Sequence, residues 1–211
     1  MNPSNPLNSI TPTVAADLLY VLARSQVPLT GYAIEQAAGR AHAGVLKELA
    51  RLVQEGILGS EVVGNATRYW LDREHLLAGP LVEAVGAMDR LENRIAILAA
   101  QMQPAPVAVF LFGSFARRDG NSSSDVDLFV VRPEAVAADD PLWLRSRTAL
   151  ARGAEAASGN PCQMVEGTPA QLTEGAAAGE GLVASLQADA VCLFGSPPAS
   201  LRRPGLAEAL R

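Results

Sequence analysis

Lysine is almost absent. Of 17 basic residues in the 211-residue chain, only Lys47 is a lysine, a usage that fits a GC-rich coding bias better than a chemical requirement. Basic charge is also in deficit, with 22 acidic residues giving a formal net charge of −5. That balance argues against a strongly basic coat for nucleic acid. Cysteine is limited to Cys162 and Cys192, both in apolar, strand-like runs, which predicts buried and reduced thiols. Histidine is scarce as well, and no other His or Cys lies at ligand spacing from His42, so His42 is not a metal-ligand candidate. Long apolar runs are missing, and the opening residues MNPSNPLNSITPT are polar. Neither a membrane span nor a signal peptide is expected, and the expected location is cytoplasmic. What is present, 49% hydrophobic and 18% charged residues, is ordinary for a globular protein of one domain or two small ones.

The most informative stretch is VAVFLFGSFARRDGNSSSDVDLFVV, residues 107–131. Val107 to Phe112 is a continuous apolar run, the mark of a buried strand. Gly113 and Ser114 end it where a turn or helix must begin, and backbone N–H groups left free there can hold an anion such as phosphate. Asp125 and Asp127 are one residue apart, so on a strand both carboxylates point to one face. Two hard oxygen ligands near a phosphate-holding turn suit Mg²⁺ bound to a nucleoside triphosphate.

The pattern Gly113-Ser114, Arg117, then Ser124-Asp125-Val126-Asp127-Leu128 resembles the minimal nucleotidyltransferase domain of the polymerase-beta-like superfamily, over about the second half of the chain. The resemblance implies Mg²⁺ with ATP or another triphosphate as cofactors, held as metal ligands by Asp125 and Asp127. Gly113, Ser114, Arg117 and Ser124 are the implied nucleotide-binding residues. It also implies a third carboxylate on a neighbouring strand, and in the run Gly159-Asn160-Pro161-Cys162-Gln163 that position falls at Gln163. Glutamine offers a carbonyl oxygen but cannot act as a general base. Glu166 is the nearby acid, and strand alternation puts it on the opposite face. Arg118 stands where many relatives have glycine.

Earlier in the chain, apolar periodicity predicts helices over Val14–Arg24 and His42–Gln54, with a short one between, capped by Thr30 and ending at Gly39. Leu58–Val63 and Ala66–Leu71 flank Gly64-Asn65 as a hairpin. Three helices followed by a hairpin, in the text LTGYAIEQAAGRAHAGVLKELARLVQEGIL…RYWLDREH, look like the winged helix families of bacterial transcription regulators. That likeness implies a recognition helix starting near His42 and DNA as partner. The contacts implied are Arg40, His42, Lys47 and Arg51, with Arg68 on the wing. Residues 1–80 hold six basic and seven acidic residues. Four or five basic contacts give limited non-specific affinity, so a protein-interaction role for the same module stays open.

From Pro80 to Met102, Ala84, Met88, Leu91, Ile95, Leu98 and Met102 recur at heptad-like steps. This face can pack on the following domain or join two subunits as a homodimer. Further on, a helix over 141–157, a strand over 162–166 and a strand-like run over 190–194 are expected. Thr168-Pro169-Ala170-Gln171 reads as a capped helix start, and Gly195-Ser196 as a surface turn. The fold class expected is α/β, α+β overall. Its domains are a loose tail (1–12), a winged helix-turn-helix (13–78), a linker helix (79–103) and a nucleotidyltransferase-fold mixed sheet with helices (104–211). Two functions compete. One is a DNA-binding regulator whose second domain binds nucleotide with transfer weak or lost; the other is an active nucleotidyltransferase acting on a protein or small molecule.

Overall fold

A computed structural model of the chain describes residues 1–201. The last ten residues of the expected 104–211 domain lie outside the described range. The architecture is α+β, with a three-stranded and a four-stranded sheet among the described residues. Apart from the first three residues, chain contacts divide it into two compact units, Ser4–Met88 and the residues from Asp89 on.

In the first unit, α1 (Val14–Arg24), α2 (Gly31–Ala38) and α3 (His42–Gln54) pack around Leu18, Leu22, Ile34, Val45, Leu49 and Leu52. The starts of α1 and α2 follow from side-chain caps: Thr13 accepts from the Ala16 N–H and Thr30 from the Ala33 N–H. Gly39, at φ 61°, ends α2 in the left-handed conformation that glycine adopts without strain. β2 (Leu58–Val63) and β3 (Ala66–Leu71) form the hairpin through Gly64-Asn65, with Val63 opposite Ala66. A two-residue strand, β1 (Leu29–Thr30), pairs with β3 and gives the order β1-β3-β2. β1 is too short to carry an apolar alternation.

The expected loose tail is partly ordered. Pro6–Ser9 forms a 3₁₀ turn capped by Asn5, and Leu7 is buried at 5% exposure. Asn5 and Asn8 each donate from Nδ2 to Asp17 at 2.9 Å, so polar side chains there supply tertiary bonds. The single helix expected over 80–102 is broken at Gly86 into α4 (Ala78–Val85) and α5 (Ala87–Ala100). Met88, Leu91, Ile95 and Met102 of its stripe are each no more than 3% exposed within the single chain, and Leu98 packs on Gly153.

In the second unit, β4 (Ala108–Phe112), β5 (Val126–Val131), β6 (Cys162–Gly167) and β7 (Val191–Gly195) form one sheet in the order β6-β5-β4-β7. β5 and β6 run parallel, joined by α7 (Pro141–Ser158); β4 is antiparallel to β5 and β7. One face, with Ala108, Phe110, Phe129 and Val131, is covered by α8 (Pro169–Ala178) and α9 (Gly181–Asp189) through Leu172, Val183 and Leu186. Thr168 and Gln171 form the capping box that starts α8.

Both thiols are free, but Cys192 is exposed and Cys162 only half-buried, a correction to the buried pair expected. β7 is an edge strand, and its apolar run is covered on fewer sides than a central strand. No helix among the described residues is long and apolar enough to cross a membrane.

Candidate functional site

β4 ends at Phe112, which lies opposite Asp127 on β5. There the chain turns through Gly113 into the five-residue helix α6 (Gly113–Arg117). Gly113 has φ +67°, and a Cβ on it would stand 2.5 Å from Asp127 Oδ2. Glycine is therefore required by the backbone conformation and again by the carboxylate lying against it. Asp125 immediately precedes β5, and Asp127 is the second residue of that strand, so the extended backbone turns both toward one face.

The turn that delivers Asp125 is tied at both ends. Ser124 Oγ accepts from the Asn121 N–H at 2.9 Å, and the Ser124 N–H donates to the Asn121 carbonyl at 3.1 Å. Asn160, only 2% exposed, donates from Nδ2 to the carbonyls of Ser122 at 3.2 Å and Ser124 at 2.9 Å. The Ser114 and Ser124 hydroxyls both lie against Gly120, where a Cβ would stand 2.8 Å from each. Asn160 and Gly120 were not singled out in the sequence. The signal for Asn160 was its place in the Gly-Asn-Pro turn before β6.

Burial raises the Asp127 carboxyl above its usual range, the charge of Asp125 adds to this, and Arg117 opposes it. The two carboxylates repel one another, and Arg117 offsets that repulsion only in part. Among the described residues no group of three or more His, Cys, Asp or Glu is placed to hold a metal ion. The pair stands without a third acid.

The reason lies in the sheet register. Asp127 is paired with Gln163 across the β5–β6 ladder, and directly paired residues on neighbouring strands share a face. The ladder runs from Val126–Cys162 to Val131–Gly167 without a shift, so no bulge brings Glu166 round. Its carboxylate is engaged elsewhere. It accepts from Trp143 Nε1 at 2.8 Å and pairs with Arg147 at 2.8 Å and Arg132 at 3.5 Å. Glu166→Ala leaves two arginines and an indole N–H without their acceptor. It is expected to destabilise the fold by about 2 kcal/mol, below the ~3–5 kcal/mol of a fully buried pair. Because Glu166 faces away from Asp127, Mg²⁺-dependent binding of ATP should survive. Urea melts and a nucleotide titration on the same variant read both effects.

Arg117 is already engaged, donating from Nε to Asp119 at 2.9 Å and from Nη1 to Asp189 at 2.6 Å. These two bonds use only part of its five N–H donors, so a phosphate reaching it meets a charge already partly balanced by two carboxylates. Arg118 holds a left-handed φ of 59° at the end of α6. This conformation costs a non-glycine residue about 1 kcal/mol, and its guanidinium meets Asp89 and Glu92, each at 2.8 Å.

Behind the pair, burial, then Glu155, Asp127 and Asp125, push the Cys162 thiol up to about 12. Burial raises the Cys192 thiol as well, opposed by a hydrogen bond to the Phe194 carbonyl, but Cys192 is exposed where Cys162 is half-buried. Iodoacetamide at pH 8 should therefore modify Cys192 first and Cys162 much more slowly. Peptide mass spectrometry over time reads the two sites; equal rates would contradict the assignment.

The five residues implied as DNA contacts are all exposed. Three lie against acids: Arg40 with Asp17 at 2.7 Å, His42 with Glu35 at 2.6 Å and Arg51 with Glu48 at 2.9 Å. Lys47 lines a cavity of the first unit, and Arg68 stands opposite Glu61 in the β2–β3 ladder.

The Gly-Ser turn after a buried strand and the Asp pair on the next strand mark a nucleotidyltransferase-like domain in the second half of the chain. A family model, polymerase beta nucleotidyltransferase, matches residues 94–152. The match runs from within α5 to within α7. It takes in Gly113, Ser114, Arg117, Asp125 and Asp127 and stops short of the strand that carries Gln163. Comparison with curated proteins and with solved structures gave no match.

Proposed function

We propose that the nucleotidyltransferase-like domain binds a nucleoside triphosphate with Mg²⁺ and turns it over weakly or not at all. The observation that carries this is the pairing of Asp127 with Gln163 in an unshifted ladder. The residues fit the ion: Gly113 leaves free the space a Cβ would take beside Asp127 Oδ2. Asp125 and Asp127 supply two hard oxygens and Gln163 a third, neutral one. Asp125 and Asp127 would hold Mg²⁺, which when bound screens the charge of the triphosphate. The protein's own part is to position it. Gly113 lets the backbone approach phosphate, Ser114 offers a hydroxyl, and Arg117 can exchange Asp119 or Asp189 for a phosphate oxygen. What this chain does not offer at Gln163 is a group to take the proton of an acceptor hydroxyl. A thermal shift tests the reading. ATP with Mg²⁺ should raise the melting temperature, and ATP with EDTA should not. Equal shifts in the two would contradict a metal-bridged nucleotide.

For residues 13–78 the proposal is a winged helix-turn-helix acting on DNA, which makes the whole chain a nucleotide-binding regulator in the cytoplasm. In support, α2 and α3 are joined by Gly39, Arg40 and Ala41 alone, a short glycine-bearing turn suited to that motif. The β2–β3 hairpin follows directly. The ion pairs of Arg40, His42 and Arg51 favour a second reading, a protein-interaction module of the same shape, because three of the implied phosphate contacts already lie against carboxylates that repel a phosphate. A gel shift on the upstream region of the protein's own coding sequence decides between them. Retention at 50 mM salt that is lost by 200 mM supports DNA binding; no shift at 50 mM supports the interaction module.

A further inference from the structure

The first unit contains a cavity of about 750 Å³, well away from any residue of the nucleotidyltransferase-like site in sequence, between the segment that starts α1 and the outer face of α3. Its volume falls in the ~300–1,000 Å³ range of small-ligand sites. The walls are aliphatic, with Ile10, Val14, Leu19, Leu52, Ile57 and Leu81. Ile10 is 78% exposed at its rim. Three charged side chains border it, Lys47, Glu48 and Arg51. Glu48 and Arg51 satisfy one another at 2.9 Å. Lys47 has no ion-pair partner among the described residues, so the apolar cavity carries one unmatched positive charge.

Gly44 keeps this space open. It lies one turn before Lys47 on the same face of α3, and a Cβ on it would meet only Val14 Cγ2, at 3.9 Å. Gly44 is the third residue of α3, and neither the backbone nor a close neighbour requires glycine there, so a larger side chain at this position would enter the cavity without breaking the helix.

We propose that this cavity binds a single-chain alkyl carboxylate, its chain along Val14, Leu19, Ile57 and Leu81 and its carboxylate on Lys47 Nζ. An alkyl chain buries against aliphatic walls without leaving polar groups unpaired, and the one polar end meets the one unmatched cation. A neutral or cationic amphiphile of the same length lacks that match. Occupation also withdraws Lys47 from any phosphate contact, although the proposal does not depend on DNA binding.

Titration calorimetry of the full chain with decanoate, below its micellar concentration, tests this. Saturable one-site binding is expected, with dodecanoate tighter by roughly fifteen-fold, since each added methylene contributes about fourfold. Decyltrimethylammonium should bind at least about tenfold more weakly than decanoate. Gly44→Leu, which fills the cavity from a position with room for its Cβ, should melt no lower than the wild type and lose decanoate binding. Lys47→Gln should weaken decanoate about tenfold and leave decanol unchanged. No saturable binding by the wild type, undiminished binding by folded Gly44→Leu, or equal affinity for decanoate and decyltrimethylammonium would overturn the assignment.

Discussion

Gln163→Asp is expected to raise pyrophosphate release from ATP and Mg²⁺ by about 10²–10⁴-fold, the usual contribution of a positioned general base. The position is set by the sheet. Gln163 stands across the ladder from Asp127, so a carboxylate there joins Asp125 and Asp127 on one face. It provides the third charged oxygen and the proton acceptor that an amide cannot provide. The same substitution places three carboxylates together, and without Mg²⁺ it should lower the melting temperature, with recovery when the ion is added. Gln163→Glu keeps the side-chain length and should show the same effects in weaker form. Phosphate-coupled detection of pyrophosphate reads the rate, with water or the protein itself as acceptor. If the wild type already releases pyrophosphate as fast as the variant, Gln163 is not what limits turnover.

The second large effect is the loss of the site. Asp125→Asn with Asp127→Asn should weaken Mg²⁺-dependent ATP binding by at least about 100-fold, because two charge-bearing metal ligands become neutral. Stability should move the other way. The Asp127 carboxyl is held above its usual range in the folded chain, chiefly by burial. Ionising it therefore costs more folded than unfolded. Wild-type stability is lowered above the unfolded-state value and regained as pH falls through the folded-state value. The asparagine variant escapes this cost and should melt higher than the wild type at pH 7 in EDTA. Calorimetry at pH 7 and pH 4 checks the sign, since the gap should close at the lower pH. A double variant that melts lower than the wild type at pH 7 would contradict it.

Local chemistry explains which features were readable from sequence. β4, and β5 from Leu128 on, are continuous apolar runs because both are central strands, and Gly113 announced itself by ending the first of them. Thr168 and Gln171 spell out a capping box within four residues, and the structure contains that box. The place of Gln163 was inferred from resemblance, and the ladder puts it opposite Asp127. Features made by residues distant in sequence were not readable. Arg117 looked free for phosphate, yet one of its partners is Asp189, 72 positions on. Arg40 carries an ion pair with Asp17, 23 positions earlier, that the local pattern does not announce. Glu166 could be excluded by strand alternation alone, but not the three side chains that hold it. Cys192 read as buried because an apolar strand shows its composition and not whether it lies at a sheet edge. The cavity beside Lys47 is likewise made by segments distant in sequence, which the pattern of α3 does not reveal.

A site that holds Mg²⁺-nucleotide but turns it over weakly or not at all is tested most directly by one calorimetric titration of ATP into the protein with Mg²⁺. The expected result is a saturable one-site isotherm that vanishes in EDTA, with the baseline returning to its starting level after each injection. Absence of saturable heat would contradict nucleotide binding, and a sustained heat flow after each injection would show that the site turns nucleotide over despite Gln163.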